Sequence, residues 1–270
     1  MKNILYFILA LILFSSCEKE IELDYNDIDP IPVIEGKLTP EKVEVKITKT
    51  RNMNDSTKGK GLECESVILT QLNGQQFVLN YDNDGFYRLE YDFLSNSQNT
   101  YMLNVKIDGV TYCCSSTLYP QAEITEPRFV WTNLMDWAQC LEFEIIDKDL
   151  NTENYYWYNV YKNGEIYCWA IVDDTGCDSS GIIYNDYLCY YDSDMENDDD
   201  AFIYDGDIIE MEVKSIDQQT FDYLSELQYG NNNPKQVFKS DIDNKKCLGY
   251  FTAYNPQNYK TVYNKTPHKK

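Results

Sequence analysis

Apolar and polar residues alternate with a period of two through most of the chain beyond residue 31. Val43, Val45 and Ile47 alternate with charged neighbours, and Val67 and Leu69 lead into Asn73-Gly74, beyond which Phe77, Leu79 and Tyr81 alternate again. This alternation sets one side of a strand against a core, and Asn-Gly suits the tight turn of a hairpin. Asp84-Gly85 precedes a further strand from Phe86 to Tyr91; Tyr101, Leu103, Val105 and Ile107 run into Asp108-Gly109, and Val110 to Ser116 returns. Short strands with regular turn signals predict an immunoglobulin-like β-sandwich over residues 31–119.

Tyr119-Pro120 and Glu126-Pro127 mark a boundary, after which a second β-rich domain is expected over 120–258. Leu141, Phe143 and Ile145 alternate with Glu142 and Glu144; Tyr155–Tyr161 is expected to pair with Glu165–Val172 across Asn163-Gly164; and Phe202–Tyr204 leads through Asp205-Gly206 into Ile208–Val213. One short helix is predicted near 217–229, with Asp217 as N-cap, Phe221, Leu224 and Leu227 on the buried face, and Gly230 as the stop. Gly249–Tyr254 reads as a last strand of this second region, and 259–270 as a loose basic tail. The fold class is thus mostly β: an immunoglobulin-like sandwich, then a second sandwich-like domain with one short helix.

The amino terminus follows a different pattern. Lys2 precedes an unbroken apolar run from Ile4 to Phe14, about 11 residues, the length of a signal-peptide core and too short for a spanning helix. Leu13-Phe14-Ser15-Ser16-Cys17 resembles a bacterial lipobox, with Phe14 where Leu is usual. The resemblance implies cleavage of 1–16 and acylation of Cys17; an ordinary secretory signal is the plainer alternative. Segment 17–30 then reads as a lipid-anchored acidic tether. Its cluster Glu18, Glu20, Glu22 and Asp24 looks like the surface-export signal of Bacteroidota lipoproteins, which implies the outer face of the outer membrane. A solvated tether, or the periplasmic leaflet, are the competing readings.

Charge narrows the partners. The 270 residues carry a formal net charge of −22; loss of 1–16 removes only Lys2 and leaves −23. Such a field repels phosphate backbones, so no nucleic-acid partner is expected. The single histidine is His268, in the tail; triads with a histidine base and histidine-ligated zinc sites are therefore not expected.

In order along the chain, Cys17-Glu18-Lys19-Glu20, Val33-Ile34-Glu35-Gly36, Asp84-Gly85-Phe86-Tyr87, Asn154-Tyr155-Tyr156, Thr220-Phe221-Asp222-Tyr223-Leu224, Asn233-Pro234 and Leu248-Gly249-Tyr250-Phe251 resemble the domain of unknown function 4249 family of Bacteroidota lipoproteins. The resemblance covers nearly the whole mature chain and implies an accessory role beside a TonB-dependent outer-membrane receptor in nutrient or metal uptake. It carries over no catalytic residues and no cofactor. The many cysteines and the acidic loop near Asp194 depart from the usual pattern.

Three groups of residues could carry chemistry. Beyond Cys17 stand Cys64, Cys113, Cys114, Cys140, Cys168, Cys177, Cys189 and Cys247; an even number in an exported chain favours disulfides, though eight cysteines allow about 105 pairings. Cys113 and Cys114 should face opposite sides of their strand. Asp192, Asp194 and Glu196, and separately Asp147, Asp149 and Asn151, are weak calcium candidates without EF-hand spacing. Alternation puts Tyr155, Trp157 and Tyr161 on one face of a strand and Tyr156 and Tyr158 on the other; core packing and an aromatic ligand platform both fit. The expected function is non-catalytic assistance to a TonB-dependent receptor. A structural or adhesive surface protein is the alternative, and a hydrolase comes third.

Overall fold

The structure is a computed structural model that describes residues 29–51, 59–93, 99–131, 138–147, 151–175, 177, 181–191, 203–230 and 234–264. Cys17, residues 1–16, nearly all of the tether, Asp149, Asp192, Asp194, Glu196 and His268 lie outside the described residues.

Two pairs of sheets account for the described strands. In the first pair, one sheet runs β17 (Leu248–Ala253), β1 (Pro32–Leu38), β2 (Lys42–Lys49), β6 (Phe86–Glu90), β5 (Asn80–Tyr81). The other runs β16 (Lys239–Ser240), β8 (Val110–Thr117), β7 (Thr100–Ile107), β3 (Ser66–Gln71), β4 (Gln76–Val78). The alternating residues seen in the sequence fill the space between them: Ile34, Val45, Leu69, Leu103 and Phe251 are buried in one cluster. In the second pair, β10 (Arg128–Trp131), β11 (Ala138–Ile146) and β14 (Ile182–Tyr191) form one sheet, with β9 (Glu123–Ile124) on β11. The other runs β13 (Glu165–Asp173), β12 (Tyr155–Lys162), β15 (Ile208–Ile216), β18 (Gln257–Val262). Leu141, Phe143 and Ile145 from the first of these sheets meet Tyr158, Val160 and Met211 from the second. The mostly-β expectation of two sandwiches and a short helix is met.

The turn signals act as expected. Asp84-Gly85, Asp108-Gly109 and Asn163-Gly164 all carry positive φ at both residues, the combination whose twist matches that of the flanking strands. Each joins antiparallel neighbours: β5 to β6, β7 to β8 and β12 to β13.

Two boundaries differ from the sequence reading. The last strand expected in the second domain, β17, instead lies parallel to β1, with Ile34 opposite Gly249 and Gly36 opposite Phe251. β16 likewise pairs with β8, and Phe238, Cys247 and Phe251 lie in the first core. The first sandwich is therefore built from 31–119 and from the returning segment 237–253. Pairing of strands about 200 residues apart leaves no local mark, because both partners alternate normally. Gly249 permits the close approach: its φ is +108°, and a Cβ there would lie 1.9 Å from the Ile34 carbonyl oxygen. The expected loose tail also begins later, since Gln257–Val262 is a strand on β15 and Tyr263 is buried in the second core.

Helix α1 (Gln218–Gln228) is where the sequence places it. Its buried residues are Thr220, Tyr223 and Leu224, whereas Leu227, expected inside, is 44% exposed. The helix lies against Trp157 and Tyr250 together, one from each sandwich, which turns its buried face away from Leu227. Asp217 has the extended backbone of an N-cap but makes no side-chain cap bond. Its carboxylate turns instead to β8 and the segment after it, accepting from the Ser116 hydroxyl, from Thr117 N–H at 3.4 Å and from Tyr119 OH at 3.3 Å. Ser116 Oγ in turn accepts from Ala253 N–H at 2.8 Å. One buried carboxylate thus joins both sheets of the first sandwich to the start of the helix.

Candidate functional site

The strongest polar constellation lies on the outward face of the sheet β13-β12-β15-β18. Alternation divides β12 as the sequence predicts: Tyr156, Tyr158 and Val160 enter the second core, and Trp157, Asn159 and Tyr161 point the other way. Cross-strand register sets Trp157 opposite Lys214, Asn159 opposite Glu212 and Tyr161 opposite Glu210. β18 adds Asn258 beside Glu212 and Lys260 beside Glu210, and β13 adds Trp169 beside Asn159 and Ile166 beside Tyr161. Two cross-strand rows result, Trp169-Asn159-Glu212-Asn258 and Ile166-Tyr161-Glu210-Lys260.

Glu212 is the centre of this face. Its Oε2 accepts from Lys214 Nζ at 2.7 Å, Asn159 Nδ2 at 3.2 Å and Tyr161 OH at 3.3 Å. Asn159 Nδ2 also donates to Tyr161 OH at 3.0 Å. Lys214 is 1% exposed, with Nζ 3.8 Å above the Trp157 ring and 5.1 Å from that of Tyr254. Desolvation pulls its pKa down to about 8, against the attraction of Glu212. Burial and the same carboxylate push the Tyr161 phenol upward. Beside this network opens a cavity of about 380 Å³ lined by Tyr161, Glu210, Glu212, Asn258 and Lys260 among others. Lys260 and Glu210 are paired at its rim.

The sequence singles out Tyr155, Trp157 and Tyr161 together, but the structure gives them different tasks. Tyr155 packs on Phe221 at 4.9 Å and Trp157 on Tyr250 at 5.9 Å, so both serve the helix junction. Tyr161 alone of the three lines the cavity. Glu212, Lys214 and Asn159 were not among the sequence candidates. The alternation of Glu210, Glu212 and Lys214 with Ile209, Met211 and Val213 does mark a polar face; which strands stand beside it is a property of the topology.

A second cavity, of about 360 Å³, lies between Tyr119, Glu153, Asn154, Tyr155, Ser215 and Gln218. Near it, Asp147, one of the calcium candidates, is buried and accepts from Asn154 Nδ2 at 3.0 Å; Asp174 accepts from Asn154 N–H at 3.0 Å. Burial, with a hydrogen bond to Asp147, raises the Asp174 carboxyl. Asn151 is exposed in a turn. Among the described residues no group of three or more His, Cys, Asp or Glu is arranged to hold a metal ion.

Among the described residues the cysteines do not gather into a site of three or more. Cys64, Cys113, Cys114 and Cys247 are free thiols, so the expected pairing is not met at these four. Three of them are directed at nearby carbonyls: Cys64 Sγ to Ser66 at 3.6 Å, Cys114 Sγ to Ser115 at 3.7 Å and Cys247 Sγ to Leu248 at 3.2 Å. Cys114 is buried and Cys113 half-buried, on opposite faces of β8. Desolvation pushes Cys114 and Cys247 each up to about 12. Cys140 is buried and Cys168 packs against the second core; Cys177 Sγ donates to Ile182 O at 3.4 Å. The side chain of Cys189 lies outside the described part.

Among the described residues no helix is long and apolar enough to cross a membrane. A family model described as domain of unknown function (DUF4249) matches residues 18–260. No curated protein matches the sequence.

Proposed function

The chain belongs to the DUF4249 family, and from that premise we propose that it is a non-catalytic lipoprotein, anchored through Cys17 in the outer membrane and exposed at the cell surface, that captures a nutrient for a TonB-dependent receptor. The anchor reading rests on the apolar run Ile4–Phe14 ahead of Cys17. Two or three acyl chains, each buried methylene contributing about 0.8 kcal/mol, hold a soluble acidic protein stably at a bilayer, where one chain holds it only marginally.

The observation that favours capture over display is the outward sheet face with its cavity. Glu212 is already held by three donors before any ligand arrives, and side chains fixed in advance lose little entropy on binding.

Two experiments test this reading. Mild detergent extraction of native membranes should recover the protein together with a TonB-dependent receptor; recovery alone, under conditions that keep known receptor complexes intact, refutes the accessory role. Cys17→Ser should lose the acyl mass and move to the soluble fraction; unchanged mass and fractionation refute the anchor.

A further inference from the structure

We propose that the outward face of β13-β12-β15-β18 binds a neutral oligosaccharide, lying across the strands with Tyr161 and Trp169 against its sugar rings and Glu210, Glu212 and Asn258 beneath its hydroxyls. The inference rests on reading this face as the capture surface, and it names the class of ligand.

Charge is the first argument. In a chain of net charge −22, this face carries two carboxylates and two ammonium groups in pairs, Glu212 with Lys214 and Glu210 with Lys260. Each is matched to an opposite charge within the sheet, so none of the four is left unpaired to hold a charged ligand. The cavity also lacks the cluster of cations that a phosphate would seek.

Hydrogen-bonding chemistry is the second. The amide of Asn258 and the Glu210, Glu212 and Lys260 side chains offer donors and acceptors side by side along the cavity. A sugar hydroxyl both donates and accepts, so it can meet such a mixed surface, whereas a purely apolar ligand would strand these groups without partners.

Shape is the third. A sheet face is nearly flat, and the row Ile166-Tyr161-Glu210-Lys260 crosses four strands, about 14 Å at the usual inter-strand spacing. Tyr161 sits half-buried at the cavity wall, and Trp169 is 36% exposed on the same face. Both present aromatic surface of the kind that packs on the C–H face of a pyranose while its equatorial hydroxyls point to the polar groups. Ile166, 56% exposed beside Tyr161, extends the apolar margin. An elongated, uncharged, amphipathic ligand fits this footprint.

The test is a printed array of neutral oligosaccharides, uronic-acid oligosaccharides and short basic peptides, probed with the full chain and followed by titration calorimetry on any series retained. Retention of a neutral series is expected. Trp169→Ala and Tyr161→Ala should each weaken binding at least tenfold, with both variants still folded at the assay temperature by thermal melting. Retention of none of the three sets overturns the proposal, as does preference for the acidic glycans or the peptides. Neutral-glycan binding untouched by both substitutions overturns the location. A chain that co-purifies with a receptor yet binds no glycan refutes the ligand class alone; one that binds glycan but is never found with a receptor refutes the transport reading alone.

Discussion

Lys214 offers the sharpest quantitative test. Its ammonium is 1% exposed and its pKa falls from 10.5 to about 8 on folding. Each unit corresponds to about 1.4 kcal/mol, so burying the charged form costs roughly 3 kcal/mol relative to the neutral amine. The sign follows from proton counting. Below pH 8 the lysine is charged in both states; between about 8 and 10.5 the unfolded chain holds the proton and the folded one does not, so stability rises with pH in that window. Lys214→Met keeps the volume and removes the titration. The free thiols Cys64, Cys114 and Cys247 are raised by burial and lower stability above about pH 8.5, but they do so in both proteins and cancel in the difference. Urea unfolding at pH 7, 8, 9 and 9.5, at fixed ionic strength, should show the parent gaining on Lys214→Met by about 2 kcal/mol from pH 8 to 9.5. A difference constant to within about 0.5 kcal/mol would mean that Lys214 keeps its solution pKa, and would refute the desolvated picture of the site.

Three further outcomes are expected. Gly249→Ala forces a Cβ to 1.9 Å from Ile34 O at a φ of +108° and should cost at least about 3 kcal/mol; Gly74→Ala, which shares the backbone strain of a positive φ (+92°) but whose added Cβ meets nothing within 4 Å, should cost less, and equal thermal midpoints for the two would refute the close-approach argument. Asp217→Ala leaves the Ser116 and Tyr119 hydroxyls and the Thr117 N–H without their shared acceptor and should lose about 2–4 kcal/mol at pH 7 by urea unfolding; a loss under about 0.5 kcal/mol would show that water replaces the carboxylate. With pKa values near 12 and full burial, Cys114 and Cys247 should resist a thiol reagent at pH 8 in the native protein and react in denaturant; rapid native labelling at either position, located by mass spectrometry, would contradict their placement.

Local signals carried much of the fold. The hairpins at Asp108-Gly109 and Asn163-Gly164 follow from two residues each, and the split of Tyr156 and Tyr158 from Trp157 and Tyr161 follows from alternation alone. What stayed hidden is long-range. Nothing near Leu248 states that it will lie beside Val33, because a strand's pattern specifies which side is buried and not which neighbour it meets. The same holds for the site: Glu212 and Asn159 are separated by 53 residues and are read as ordinary surface polar residues until β12 and β15 pair. Asp217 shows a third kind of failure. Its residue type and position fit an N-cap, but Ser116 and Tyr119, about 100 residues earlier, compete for the carboxylate and win it.

The parallel return of β17 to β1 has a consequence for how the polypeptide is made. A chain emerging from its amino terminus synthesises β1 among its first strands and β17 among its last, so the earliest sheet waits, one edge bare, until residue 253 has appeared. The second sandwich, encoded almost wholly in between, can assemble during that wait. Maturation is therefore nested, with a late strand sealing the first structure begun, and a chain arrested anywhere before Leu248 presents an open β-edge to whatever surrounds it.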